Sequence, residues 1–246
     1  MASSRHWFLR PRWIVATLLV IVVAGVCARL GVWQLDRLEQ RRALNARVET
    51  GLRAPPAPLE EVLASAGPAG ASFHRATVTG SYDRSGELIL FGRTLDGRPG
   101  NHVLTPLRPD TGGMSVLVDR GWVPIEIDRP EDEQVAPPQG EVSLTGILVP
   151  SEEEGTGPDA NGTVGAIDVD AISASGVALV PGIYLRLQEQ LPPQPDVLPE
   201  PVPLPPPTEG PHLSYAVQWF IFAMIAVIGY AFLLRKNARE ERTRVP

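Results

Sequence analysis

The chain has 246 residues, with 22 Lys or Arg against 28 Asp or Glu, a formal net charge of -6, four histidines and one cysteine. That acidic balance excludes a nucleic-acid binder, which needs a basic footprint for phosphate. A single thiol excludes a disulfide scaffold, a Cys-x-x-Cys redox centre and copper delivery through paired thiolates.

Residues 1–12 form a basic stub ahead of an apolar run that starts at Trp13 and is carried on by "LGVWQL". Counted to Trp33, the run spans about 31 Å at ~1.5 Å per helical residue, enough for the hydrocarbon core of a bilayer. It is longer than a secretory h-region and its flank makes a poor cleavage site, so it reads as a retained transmembrane helix over 13–35. Arg29 falls about one turn inside the outer edge, within snorkelling reach of water.

Strong helix formers in "DRLEQRRALNARVETGL" continue this helix until Gly51 and the Pro55-Pro56 break, and a short helix is predicted over 58–66. From Phe73 the period becomes two. About six strands follow, in "HRATVTG", "ELILFGR", "HVLTPL", "MSVLVDRGWVP", "EVSLTGILVP" and "GIYLRLQEQ", with "LDGRPGN" as a turn between the second and third. Short turns predict an antiparallel sheet or a partly closed barrel. In "DRGWVP", Gly121 and Pro124 predict a strand ending in a turn with Trp122 buried; the rival reading makes Asp119, Arg120 and Trp122 a recognition edge. Residues 151–165, acidic and glycine-rich, read as a mobile loop. Residues 168–179 read as a helix capped by Asp168 or Asp170. Residues 191–211 are dense in proline and predict a stiff, extended connector.

The last apolar run, His212 to Leu234, predicts a second transmembrane helix, ended by Arg235-Lys236. Basic residues before the first span (Arg5, Arg10, Arg12) and after the second place both tails in the cytoplasm. Arg37, Arg41, Arg42 and Arg47 oppose that orientation on the outer side, but two spans force both tails onto one face. The expected fold is an α+β membrane protein: a cytoplasmic tail (1–12), a first transmembrane helix (13–35), an extracytoplasmic antiparallel β-rich domain with a few short helices (36–190), a connector (191–211), a second transmembrane helix (212–234) and a basic tail (235–246).

The chain has no Gly-x-Ser-x-Gly elbow, Walker loop, dinucleotide fingerprint or His-Glu-x-x-His. The candidate chemistry lies instead at the membrane mouth. His212, Tyr215 and Trp219 fall at i, i+3 and i+7, on one helical face where lipid meets water. An imidazole there suits haem iron. Arg29, Trp33 and Arg37, at i, i+4 and i+8 on the first helix, form a stripe at the same level whose guanidinium groups suit haem propionates. Trp33, Tyr215 and Trp219 would pack against the ring. Belt anchoring and snorkelling account for the same residues without any ligand.

The chain resembles the Surfeit-locus-one family of cytochrome c oxidase assembly factors. The residues that carry the likeness run in order along the chain: Leu30-Gly31-Val32-Trp33-Gln34 with Arg37; Phe73-His74-Arg75 with Gly80 and Tyr82; Gly100 and Thr105-Pro106-Leu107. They continue with Val116 to Pro124, Gly146, and the closing His212-x-x-Tyr215-Ala216-x-x-Trp219-Phe220. The resemblance implies a non-enzymatic factor of the bacterial plasma membrane that helps haem a reach subunit I of a haem–copper oxidase. A haem a synthase and a respiratory supercomplex are further expected partners. It implies that His212 ligates the iron, with Trp219 one turn on. It also implies structural or partner-facing roles for Gln34, Arg120, Gly121 and Trp122, the Gly-Trp pair being a position whose alteration impairs assembly. Gly210-Pro211 departs from the Asn or Glu that often precedes this histidine. The alternative is a permanent accessory subunit of a respiratory oxidase, with His212 as an interface residue.

Overall fold

A computed structural model describes residues 10–243, which divide into two units, one of residues 10–46 with 207–243 and one of residues 47–206. Arg5 and His6 of the N-terminal stub and Arg244 of the basic tail lie outside the described residues.

The first unit pairs α1 (Pro11–Arg53) with α4 (His212–Thr243), and both are long and apolar enough to cross a membrane. Each helix outlasts its apolar run. α1 continues to Arg53, just short of the proline pair, and α4 continues beyond Arg235-Lys236, because charged helix formers end an apolar segment without ending a helix. Contact between them follows a stripe at three- and four-residue intervals: Cys27, Gly31 and Leu38 of α1 are buried, as is Ala216 of α4. Gly31 is required by that approach, since a Cβ there would stand 2.8 Å from the Phe220 ring. At one end the Tyr230 hydroxyl lies 2.6 Å from that of Thr17 and donates to the Trp13 carbonyl at 3.2 Å. At the other end Gln34 meets His212, so the two helices run antiparallel. Their outward surfaces are apolar along most of their length.

The second unit is built on β1 (Ala57–Pro58), β2 (Arg75–Tyr82), β3 (Leu88–Leu95), β4 (Arg98–Pro109), β5 (Val116–Pro124), β6 (Glu141–Pro150), β7 (Thr163–Val164) and β8 (Ile183–Leu191). The strand order is β1-β2-β6-β8-β5-β4-β3-β7, and β2 also pairs with β4. That extra pairing closes β2, β6, β8, β5 and β4 into a ring. The sheet is mixed, not antiparallel as expected, with β1–β2, β3–β7 and β5–β8 parallel. The reason is the long connection through β7 and α3 (Val169–Ser173), which returns the chain so that β8 enters in the direction of β5. Ala76, Val78, Leu107, Val116, Val118, Val142, Leu144, Leu148 and Leu185 of the ring strands form one apolar core, joined by Leu59 and Val62 of α2 (Leu59–Gly70). Leu88, Leu90, Leu104 and Leu117 of the sheet pack with Val164, Ile167, Val169 and Ile172 in a second.

Local chemistry explains where the predicted bounds move. The turn expected over "LDGRPGN" shrinks to Asp96-Gly97, whose φ values of 50° and 78° suit the two-residue hairpin that joins β3 to β4. α3 is shorter than the predicted 168–179 helix, and its cap is Asp168, which accepts from the Ala171 N–H at 3.0 Å. The acidic segment expected to be mobile is held in place. Both Glu152 carboxylate oxygens accept from Arg93 at 3.0 Å, one also accepts from the Ile167 N–H, and Asp159 accepts from the Asn161 and Thr163 N–H groups. Carboxylates that accept backbone donors fix a loop that composition alone reads as loose.

The largest correction concerns "DRGWVP". It is no turn: β5 runs through it to Pro124, with Gly121 at φ 135° beside a register shift opposite Val103 and Leu104. Trp122 is buried, as the strand reading expected, and Asp119 and Arg120 are buried too, so they offer no recognition edge. The connector explains the glycine. Glu200 exchanges both backbone hydrogen bonds with Trp122 at 2.8 Å, and its carbonyl fills the space a Gly121 Cβ would need. Its carboxylate also pairs with Arg98 at 2.7 and 2.9 Å, so the proline-rich segment is extended yet fastened.

Arg120 points into the ring interior. Its guanidinium donates to Glu87 at 3.1 Å, the Val135 carbonyl at 2.8 Å and Gln194 at 2.7 Å, and lies 5.3 Å from the Tyr82 ring centre. The Thr105 hydroxyl donates to Glu87 at 2.7 Å, while Glu87 Oε1 and Arg120 Nε are buried without partners. Burial raises the Glu87 carboxyl above its usual range against the pull of Thr105 and Arg120, and burial likewise lowers Arg120.

Two predictions follow from this unit. Gly121→Val forces a side chain into a left-handed backbone against Glu200, at a cost of about 1–3 kcal/mol from strain alone. We expect a lower urea midpoint together with faster amide exchange at Trp122 and Glu200; an unchanged exchange pattern would refute this account of the glycine. For Glu87, the folded chain holds the proton more tightly than the unfolded one. Its contribution to stability is therefore present below the ordinary carboxyl value of 4.5 and lost as pH rises through the raised folded value. The stability of the unaltered chain relative to Glu87→Gln should fall across that window in unfolding titrations, and a flat difference would show that the carboxyl is not raised.

Candidate functional site

Geometry in the first unit centres on His212, the first residue of α4. Its Nδ1 lies 2.9 Å from Gln34 Oε1. With the amide oxygen facing the ring, as placed here, Nδ1 is the donor of this contact, and a neutral imidazole donating there carries its lone pair on Nε2. Nε2 has no hydrogen-bond partner among the described residues and is not among the polar atoms shut in by protein. Just ahead, Gly210 takes φ 67°, and a Cβ there would come no nearer to the imidazole than 3.5 Å. That is ordinary van der Waals distance, so Gly210 flanks the Cδ2–Nε2 edge of a half-buried imidazole.

Three contacts set this arrangement. The Gly31–Phe220 approach and buried Ala216 bring α4 onto α1 below the imidazole. Above it, Arg42 donates to both carboxylate oxygens of Glu209 at 2.8 and 3.0 Å, anchoring the residue three before His212 to α1. Hydrogen bonding to Arg42 holds the exposed Glu209 carboxyl below its usual range.

The predicted site residues divide. Trp219 shares the half-buried face with His212, with its ring edge-on to Phe222 at 5.9 Å. Tyr215 is turned outward at 48% exposure. Trp33, 42% exposed, is covered by the Arg37 guanidinium 5.7 Å from its ring centre, and Arg37 also donates to Gln40 at 3.0 Å. Arg29 is exposed. At ~100° per residue, Arg29 points about 140° and Trp33 about 100° away from Gln34, whereas Arg37, three residues on, lies about 60° from it, so the stripe approaches the Gln34 face only at its Arg37 end. Interhelical contact instead follows the mixed interval of Cys27, Gly31, Gln34 and Leu38. Sequence reasoning placed Gln34 only among structural residues. The signal for its role was its spacing, three beyond Gly31 and seven beyond Cys27, the small residues that mark close approach.

Elsewhere the imidazoles are engaged: His74 Nδ1 lies 3.3 Å from the Ala71 carbonyl, and His102 Nδ1 lies 3.2 Å from buried Asp119, which also accepts from Arg186 at 3.1 Å. Arg120, Gly121 and Trp122 belong to the interior of the second unit and present no open surface. Among the described residues no three His, Cys, Asp or Glu side chains converge as a metal-binding group.

Comparison with known proteins agrees with this layout. Residues 21–224, which include every strand, most of α1 and the first part of α4, match the SURF1 family. A SURF1-like protein of Mycobacterium bovis is 31% identical over 245 residues, covering 96% of this chain and 88% of the relative. Surfeit locus protein 1 of Mus musculus is 31% identical over 163 residues, 59% of this chain and 48% of the mouse protein. The cytochrome oxidase assembly protein SHY1 of Saccharomyces cerevisiae is 30% identical over 124 residues, 50% of this chain and 30% of the yeast protein. The match runs through both units, and the chain belongs to the SURF1 family.

Proposed function

We propose that this protein is a cytochrome c oxidase assembly factor of the bacterial plasma membrane that binds haem a at the mouth of its two long helices. From there it assists insertion of the haem into subunit I of a haem–copper oxidase. Membership of a family with a yeast relative named as a cytochrome oxidase assembly protein supports the role. The two long apolar helices and the basic residues beyond their ends support a two-span anchor with both termini in the cytoplasm. The observation that carries the ligand assignment is that His212 turns Nδ1 to Gln34 and leaves Nε2 without a hydrogen-bond partner among the described residues.

The job is binding, not turnover. Haem a is cargo, supplied by a haem a synthase and passed to the oxidase. His212 supplies one axial nitrogen, and Trp219 lines the same face of α4 with an apolar ring. One protein ligand at an accessible mouth favours hold and release over permanent sequestration. A transient factor of this kind is found in immature oxidase and around a supercomplex, not as a stoichiometric subunit of the finished enzyme.

The test is the haem a spectrum of the purified protein made alongside a haem a synthase. His212→Ala should lose the bound-haem absorption while keeping the helix and sheet content of the unaltered chain by circular dichroism. A spectrum identical to that of the unaltered chain would remove His212 as ligand. Co-purification in mild detergent separates the roles, since constant stoichiometry in active oxidase would make the protein a resident subunit.

A further inference from the structure

We propose that Gln34 is the positioning residue of this site: its amide oxygen locks His212 in the Nδ1-protonated tautomer and so keeps the Nε2 lone pair turned to incoming iron. The inference rests on the haem-binding reading and assigns within it a task to a residue on the opposite helix.

The geometry is specific. A histidine side chain free in water prefers its proton on Nε2, the nitrogen a metal would need bare. Among the described residues the one atom hydrogen-bonded to the ring is Gln34 Oε1, 2.9 Å from Nδ1, an acceptor placed to oppose that preference. A partner on the far nitrogen is the usual means by which proteins orient a metal-binding imidazole and set its basicity. Gln34 is well placed to hold still. It lies on the interhelical stripe between buried Gly31 and Leu38, and the Arg42–Glu209 fork restrains the chain just ahead of the ring.

The choice of an amide also has a consequence. A carboxylate at this position would accept the same proton, but it would pull the ring toward imidazolate and strengthen its bond to ferric iron. A neutral acceptor fixes the tautomer without that strengthening. The arrangement therefore favours capture with ready release, the property that a delivery protein needs and a permanent haem protein does not.

The experiment reads the tautomer without haem. In the full chain in detergent micelles, with 15N-labelled histidine, long-range 1H–15N correlations separate a protonated ring nitrogen from a bare one. His212 should show a protonated Nδ1 and a bare Nε2 in the unaltered chain. It should revert to the Nε2-protonated form in Gln34→Leu and keep the Nδ1-protonated form in Gln34→Glu, which retains the acceptor. A bare Nδ1 in the unaltered chain, or no change in Gln34→Leu, overturns the proposal. Haem a titration adds a second readout. Gln34→Leu should bind about 10–100-fold more weakly, and Gln34→Glu should bind more tightly with a lower midpoint potential. Equal affinities and potentials across the three proteins would also overturn it. If the tautomer behaves as stated and no variant binds haem, the cargo reading fails while the tautomer assignment stands.

Discussion

A single hydrogen bond, between Gln34 and His212, joins residues 178 positions apart and decides what the first unit can do. At a helix contact flanked by apolar side chains, an amide or imidazole that loses its partner costs free energy. Each therefore restricts where the other can sit. The packing beneath them is too generic to set the register by itself, being made of Cys27, Ala216 and the Gly31–Phe220 contact. Polar pairs at both ends of the interface, Thr17 with Tyr230 and Gln34 with His212, exclude a slide of one helical turn, which would break both. The same bond that sets the register also sets the proton on the ring.

The second unit meets the same problem in a barrel interior. Arg120 and Glu87 are charges surrounded by protein, and the ion pair alone would not offset their lost hydration. The surrounding donors and acceptors make the difference: Thr105, Val135 and Gln194 each take a place in the network. Gln194 comes from the proline-rich segment, and so does Glu200, which hydrogen-bonds Trp122. A stretch without a strand of its own thus completes both the polar network and the exposed edge of β5. Its prolines suit the task, since an extended segment with few N–H groups can lie along a sheet without offering further pairing.

Element types were legible from local periodicity. The six long strands, the two long helices and the cap at Asp168 follow from alternation, apolar length and side-chain chemistry. The parallel pairings were hidden because β1 and β7 are two residues each and carry no pattern, and because strand direction depends on the path of the chain between strands. "DRGWVP" misled because a glycine before a tryptophan and a proline reads as a turn, whereas the glycine is needed for a backbone approaching from 79 positions later in the chain, at Glu200. At the mouth, His212 was visible as the first residue of an apolar run. Its partner was not, because the i, i+4 stripe through Arg29, Trp33 and Arg37 starts on the far side of the helix, and only the small residues Cys27 and Gly31 mark the contact face.

The unpaired polar atoms of the two units differ in one respect that matters for function. Glu87 Oε1, Arg120 Nε and Trp122 Nε1 are sealed in protein, and no solute can reach them without the unit opening. They represent a cost borne by the fold, visible in the raised Glu87 carboxyl. The Nε2 of His212 is equally unpaired among the described residues but is not one of the sealed atoms. Nothing in the packing of α1 against α4 needs it bare, because Ala216 and the Gln34 bond already hold the first turn of α4. The two kinds of unpaired atom therefore differ in what they cost: the sealed ones are borne by the fold, whereas the imidazole nitrogen at the mouth is the one to which the proposed haem role is assigned.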